Sequence, residues 1–251
     1  MFIRILLVIV VVFGFVFIKY DFLFTNIILS PTDSDFVTYR CLKYLLALFG
    51  LGDPVGQFQI HLINYELSGQ FMLQISGAFL MAGVISLPYI IFELWRFVRP
   101  ALFPNESRYL GVLFFFSSFL FYLGALVSYF IIFPLTIHFL GTYQVSDLIA
   151  NQISVQSYFS ALIILVLSIG LTFEMPILAY FLSKMGVISK GTLAAGRRYA
   201  FVIILTLAAV ITPTTDPFTL MAVAVPLYLL YEVSIWVCKR NEEIEPEGVD
   251  K

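Results

Sequence analysis

Six apolar runs separated by short polar breaks make up most of the chain: residues 2–18, 71–92, 109–133, 158–182, 199–211 and 218–237. A helix needs about 20 apolar residues to cross a hydrocarbon core of about 30 Å, so each run reads as a membrane span. The fifth run, 13 residues long, reaches only about 20 Å as a helix. It can serve as a span if the break that follows, Thr212-Pro213-Thr214-Thr215-Asp216-Pro217, lies within the headgroup boundary or the bilayer thins locally. Either way, runs five and six leave and return to the same side. Asp216 is placed to cap the sixth helix, with Pro217 at its first position. Run one follows a single cation, Arg4, and could pass for a signal sequence. No small-residue cleavage site precedes Lys19-Tyr20-Asp21, so it is expected to be retained as a span.

Between runs one and two, residues 35–49 place Phe36, Leu42, Leu45, Leu46 and Phe49 near helical spacing, with Asp35 as a cap and Gly50 as a stop. This predicts a short amphipathic helix lying on the membrane surface or capping the bundle.

Composition agrees with the pattern. Hydrophobic residues are 61% of the chain and charged residues 12%, against roughly 45–50% and about 25% in soluble domains. The fold class is an all-α integral membrane protein with six transmembrane helices. One membrane domain covers residues 1–238. The tail 239–251 is too acidic to bury anything and should be disordered. With the N-terminus inside, eleven of the 14 Lys and Arg fall on the inner side, leaving Lys19, Arg40 and Lys43 outside. That bias predicts both termini in the cytoplasm. Cys41 and Cys238 then lie on opposite faces, and no disulfide is expected between them.

Against this background a few polar residues stand out. Glu174 is the sole charged side chain between positions 158 and 182. A carboxylate at membrane depth is costly and usually faces a bundle interior or a wet cavity. Pro176 removes a backbone donor and clashes with the Thr172 carbonyl, so the helix should kink beside Glu174. Gln74 on the second span is a candidate hydrogen-bond partner. The loop from Glu93 to Arg108 is the densest polar segment. Trp95 and Phe97 suit an interface, Arg96 and Arg99 serve topology, and Pro100 and Pro104 stiffen the turn. Glu106 has no topological role and suits a counter-charge for a basic peptide. Glu232, near the inner end of span six, reads as a snorkelling interfacial residue.

Enzyme chemistry finds no support. His61 and His138 both fall near the outer face, away from mid-membrane serines. No second Asp lies within a span, no Gly-rich phosphate loop exists, and no His/Cys cluster suggests a metal. No cofactor is expected. A proton-coupled carrier using Glu174 remains a rival reading, but internal repeats, the usual mark of such carriers, are lacking.

The residues, taken in order, resemble the TatC family, the multi-span subunit of the twin-arginine protein translocase. The resemblance is carried by Leu29-Ser30-Pro31, Leu87-Pro88, the run from Trp95 to Glu106, and Phe121-Tyr122-Leu123-Gly124. It continues through residues 129–134, Ser157-Tyr158-Phe159, Thr172-Phe173-Glu174-Met175-Pro176, Arg197-Arg198-Tyr199, Thr212-Pro213 with Asp216, and residues 226–232. It covers nearly the whole chain except the tail.

This resemblance implies a concave, glove-like bundle with short fifth and sixth helices in a bacterial cytoplasmic membrane. It implies binding of twin-arginine signal peptides of folded cargo at the cytoplasmic face, with Glu106, Phe97 and Pro100 in that site. Glu174, with Thr172 and Gln74 near it, would be the intramembrane polar point that meets a partner. Pro31 matches a loop position important for transport. Implied partners are single-span TatA/TatB-type proteins and further copies of the chain. Transport would be driven by the proton-motive force. A signal-peptide guanidinium pair wants carboxylates in fork geometry. The family's second acid, in a Glu-Leu-Arg segment ahead of span one, has no counterpart in this sequence. Ser154 and Gln156 stand where the family often has another acid ahead of span four.

Overall fold

The computed structural model describes residues 1–48, 60, 62–98, 110–143, 152–212 and 216–238. Helix α1, Phe2–Ile18, has the bounds the apolar run predicts. After it comes an axis bend of 79° into the segment Tyr20–Thr32. That segment comprises α2 (Tyr20–Leu23), a π turn (Phe24–Ile28) and a 3-10 turn (Ser30–Thr32). Helix α3, Val37–Leu48, is the anticipated amphipathic helix. Its entry is organised by Asp33 rather than Asp35: Asp33 Oδ1 accepts from the Asp35 N–H at 3.1 Å.

Strand β1 (Leu62–Ile63) pairs in parallel with β2 (Ile153–Ser154), a two-residue tie between the segments that enter α4 and α7. Helix α4 runs Gly69–Val98 and carries Pro88 within it. The third apolar run is α5 (Leu110–Val127), a π turn (Ser128–Ile132) and α6 (Phe133–Thr142). The fourth is broken into α7 (Val155–Thr172) and α8 (Met175–Lys184). A short α9 (Lys190–Ala195) leads to α10 (Arg197–Ile211) and α11 (Pro217–Val237). Asp216 caps α11 as expected, accepting from the Thr219 N–H at 2.8 Å.

Among the described residues, four segments are long and apolar enough to cross a membrane: Gly69–Leu94, Leu113–Thr142, Val155–Lys184 and Pro217–Val237. The bent pair of Phe2–Ile18 with Tyr20–Thr32 passes the same test as a fifth. Helix α10 has 15 residues, about 22 Å of rise, and stays short of that length, as the sequence anticipates.

The core is centred on α7, which packs on α4, α5 and α11. Leu165, Ile169, Phe121, Phe133, Tyr158 and Leu227 are almost wholly buried within it. Helices α5 and α7 approach closely because each offers a glycine to the other's aromatic ring. A Cβ on Gly124 would lie 2.6 Å from the Phe173 ring, and one on Gly170 would lie 2.7 Å from the Phe121 ring. Neither position accepts a larger residue without displacing a buried ring.

Proline shapes the helices through the carbonyl four residues earlier, which loses its helical donor. In lipid such a carbonyl needs another partner. Three of these carbonyls receive a hydroxyl from a neighbouring element. The carbonyl of Ile27, orphaned by Pro31, accepts from Tyr129 at 2.5 Å. That of Val84, orphaned by Pro88, accepts from Tyr122 at 3.2 Å. That of Phe130, orphaned by Pro134, accepts from Thr38 of α3. Tyr39 adds a second tie from α3, donating to the Pro134 carbonyl at 2.9 Å. Burial raises the Tyr39 phenol above its ordinary pKa, because the phenolate would be desolvated there.

Candidate functional site

The break between α7 and α8 presents Glu174. Helix α7 stops at Thr172, and Pro176 stands at the second position of α8. Glu174 itself occupies the turn. Its N–H donates to the Leu171 carbonyl at 3.1 Å, and its own carbonyl accepts from Ile177 and Leu178 at 3.1 and 3.0 Å. The chain therefore re-starts a helix directly, and the carboxylate is thrown sideways toward α5. Phe173, seated on Gly124, holds the break against that helix.

On α5, one turn before Phe121, Ser117 is buried and donates its hydroxyl to Glu174 Oε2. The other oxygen, Oε1, is shielded from solvent and has no hydrogen-bond partner among the described residues. A carboxylate with one unsatisfied oxygen at this depth is an acceptor waiting for a donor. Lys184 ends α8 ten residues later, about 15 Å along the axis, too far to supply one.

The residues grouped with Glu174 from sequence do not gather around it. Thr172 is buried, and its hydroxyl donates to the Ser168 carbonyl of its own helix at 2.7 Å. Gln74 lies near the start of α4 and lines a separate cavity of about 450 Å³ with Tyr20, Asn64 and Leu73. The partner of Glu174 is thus Ser117 rather than Gln74. A serine inside Phe-Phe-Phe-Ser-Ser-Phe gives no periodic signal, and only packing shows which hydroxyl faces inward.

Pro31 is buried in its 3-10 turn, where its carbonyl accepts from Tyr39 at 3.3 Å. Phe97 is next to last in α4 and 69% exposed. Glu106 and Pro100 lie outside the described residues.

Two ion clusters appear at the end of the bundle where α4 finishes. Glu93, placed in a loop by the sequence pattern, belongs to the last turns of α4 and is 4% exposed. Its Oε1 accepts from Tyr89 at 3.3 Å and Arg96 at 3.4 Å, and Arg4 of α1 stands 3.8 Å away. Arg4 therefore ties α1 to α4 through Glu93, while Arg96, assigned to topology alone, braces the same acid from within α4. Glu232 does not reach out alone as a snorkelling acid. Arg197 holds both its oxygens at 2.9 Å, and Tyr228 donates to it at 3.3 Å. This joins α10 to α11 in the fork geometry that suits arginine.

Comparison with known proteins gives one consistent result. Residues 1–226 match the family described as Sec-independent protein translocase protein (TatC). The TatC protein of Blattabacterium sp. subsp. Periplaneta americana is 37% identical over 218 residues, covering 86% of this chain and 82% of that protein. That of Aquifex aeolicus is 38% identical over 206 residues, covering 81% and 84%. A crystal structure of the twin-arginine translocase receptor TatC superposes with a TM-score of 0.73 at 32% identity, covering 94% of this chain and 93% of that one. The same receptor solved in the detergent DDM gives 0.72 at 32% identity, covering 94% and 96%. With its broken fourth span, short α10 and matching fold, the chain belongs to the TatC family.

Proposed function

We propose that this chain is the receptor subunit of a twin-arginine, Sec-independent protein translocase in a bacterial cytoplasmic membrane. It binds twin-arginine signal peptides of folded cargo at its cytoplasmic face. It gathers single-span TatA/TatB-type partners and further copies of itself for export driven by the proton-motive force. It has no catalytic role.

In this reading the chain crosses the membrane six times, through α1, α4, α5–α6, α7–α8, α10 and α11, with both termini in the cytoplasm. Support comes from the bias of Lys and Arg and from Arg4 and Arg96, which meet at Glu93 near the end of α4. The signal peptide is read by Glu106, Phe97 and Pro100. The exposure of Phe97 at the end of α4 supports this reading, because an exposed aromatic face suits an apolar peptide carrying guanidinium groups.

The observation that carries the proposal is Glu174 at the broken span, with one buried oxygen lacking a donor. A partner's span or a passing signal peptide offering a hydroxyl, amide or cation would complete it. A site-specific photo-crosslinker at position 106, offered a twin-arginine peptide and its twin-lysine counterpart, tests the receptor role. Crosslinking to the twin-arginine form alone is expected. Equal labelling of both peptides, or of neither, would sink the proposal.

A further inference from the structure

A cavity of about 840 Å³ lies at the end of the bundle that carries α3. That is within the range of roughly 300–1,000 Å³ typical of built small-molecule sites. Its deep walls are apolar side chains of three spanning helices, among them Leu80 and Val84 of α4, Leu126 of α5 and Val166 of α7. Leu126 is 52% exposed, so this wall is open to the lipid phase. The rim is different. It is formed by the turn 25–35 and the start of α3, and it brings Arg40, Asp33 and Asp35 to one mouth. All three are exposed, and among the described residues none of them takes part in an ion pair.

A long apolar trough with one cation and two carboxylates at its mouth has the polarity of a single amphiphile. Apolar chains match the walls, a phosphate matches Arg40, and an ammonium matches the two aspartates. The Asp33 and Asp35 carboxylates are acceptors, and Asp33 Oδ1 already takes one backbone N–H. A primary ammonium brings three N–H donors to such a pair, and a quaternary one brings none. A headgroup with no cation would set its phosphate against two carboxylates. A protein helix would fill the trough but leave the mixed-charge mouth unmatched.

We propose that this cavity is a binding site for one diacyl phospholipid with a phosphate and primary-ammonium headgroup, of the phosphatidylethanolamine type. The lipid fills the gap between the α3 turn and the spans, and its headgroup bridges Arg40 to Asp33 and Asp35. The proposal stands independently of the translocase reading, since it uses none of the residues assigned to signal-peptide or partner binding.

The test is native mass spectrometry of the full chain in mixed micelles. These contain equal amounts of phosphatidylethanolamine, phosphatidylcholine and phosphatidylglycerol with matched acyl chains. One retained phosphatidylethanolamine is expected, enriched about tenfold over each competitor, equivalent to ~1.4 kcal/mol. The double variant Asp33→Asn, Asp35→Asn should erase the preference over phosphatidylcholine. Arg40→Glu should lower retention of all three, and Leu126→Trp should block entry of the chains. These positions are exposed, and an unchanged thermal midpoint checks that each variant is folded. Equal retention of the three lipids by the unmutated chain overturns the proposal, as does retention of none. So does a preference that survives the double aspartate variant. The three-lipid comparison on the unmutated chain decides the matter even if a variant fails to fold.

Discussion

The carbonyls that Pro31, Pro88 and Pro134 strip and the break at Glu174 share a cause and differ in how they are closed. Pro31, Pro88 and Pro134 each strip a carbonyl of its donor, and Tyr129, Tyr122 and Thr38 each return one. Pro176 strips the Thr172 carbonyl in the same way. Among the described residues no hydroxyl of another element caps that carbonyl, and the acid beside it keeps an unsatisfied oxygen. The lesson is that proline alone does not make a functional site. Where neighbours complete the backbone, the break is architecture. Where polar capacity is left over, the break can receive a partner.

The contrast can be broken most forcefully at Glu174. Glu174→Ala should cut export of a twin-arginine cargo by at least about tenfold, as the loss of a charge-assisted contact predicts, while membrane insertion and thermal midpoint stay near those of the parent. Export at the parental level would make Glu174 another closed feature of the core. Tyr129→Phe should do the reverse. It leaves a carbonyl without its donor, at a cost of about 1–3 kcal/mol, seen as a lower unfolding midpoint in detergent. Activity per folded molecule should be retained. Tyr122→Phe is the milder form of that change, about 1 kcal/mol, because its bond is longer and near the open cavity. Ser117→Ala sharpens the other side. It removes the one donor that Glu174 has among the described residues, so crosslinking of a partner's span from a probe at the exposed Leu178, one turn on, should fall without much loss of stability. An unchanged crosslinking pattern would show that Ser117 does not orient the acid. Arg197→Lys should have the smallest effect, an unfolding midpoint close to the parent's, since it only downgrades a solvent-screened fork between α10 and α11.

Several of these features were legible in the chain itself. The bounds of α1, the short α10, the Asp216 cap and the interruption at Pro176 follow from local rules of length, capping and missing donors. Glu174 announced itself because a lone acid in an apolar run has few structural excuses. Its partner did not. Ser117 sits among phenylalanines, and no period separates an inward serine from an outward one in a helix apolar on all sides. Gln74, chosen as partner for its type, lies near the start of α4 and lines a separate cavity. Glu93 hid for a similar reason. The pattern showed a polar segment, but whether its first acid ends a helix or begins a loop depends on Arg4, 89 positions earlier in the chain.

What the sequence determined by itself is the helical, membrane-spanning class of the chain, the bounds of its apolar runs, and the points where proline strips a carbonyl of its helical donor. Each is a property of a residue and its near neighbours in a solvent that tolerates no bare backbone. The tertiary structure alone decided which of those interruptions would be closed. That depends on a hydroxyl carried by a different helix, delivered within hydrogen-bond distance by the glycine-on-ring packing of α5 and α7 and by the fold of α3 over the bundle. Such distances are set by many side chains at once, and no local rule encodes them.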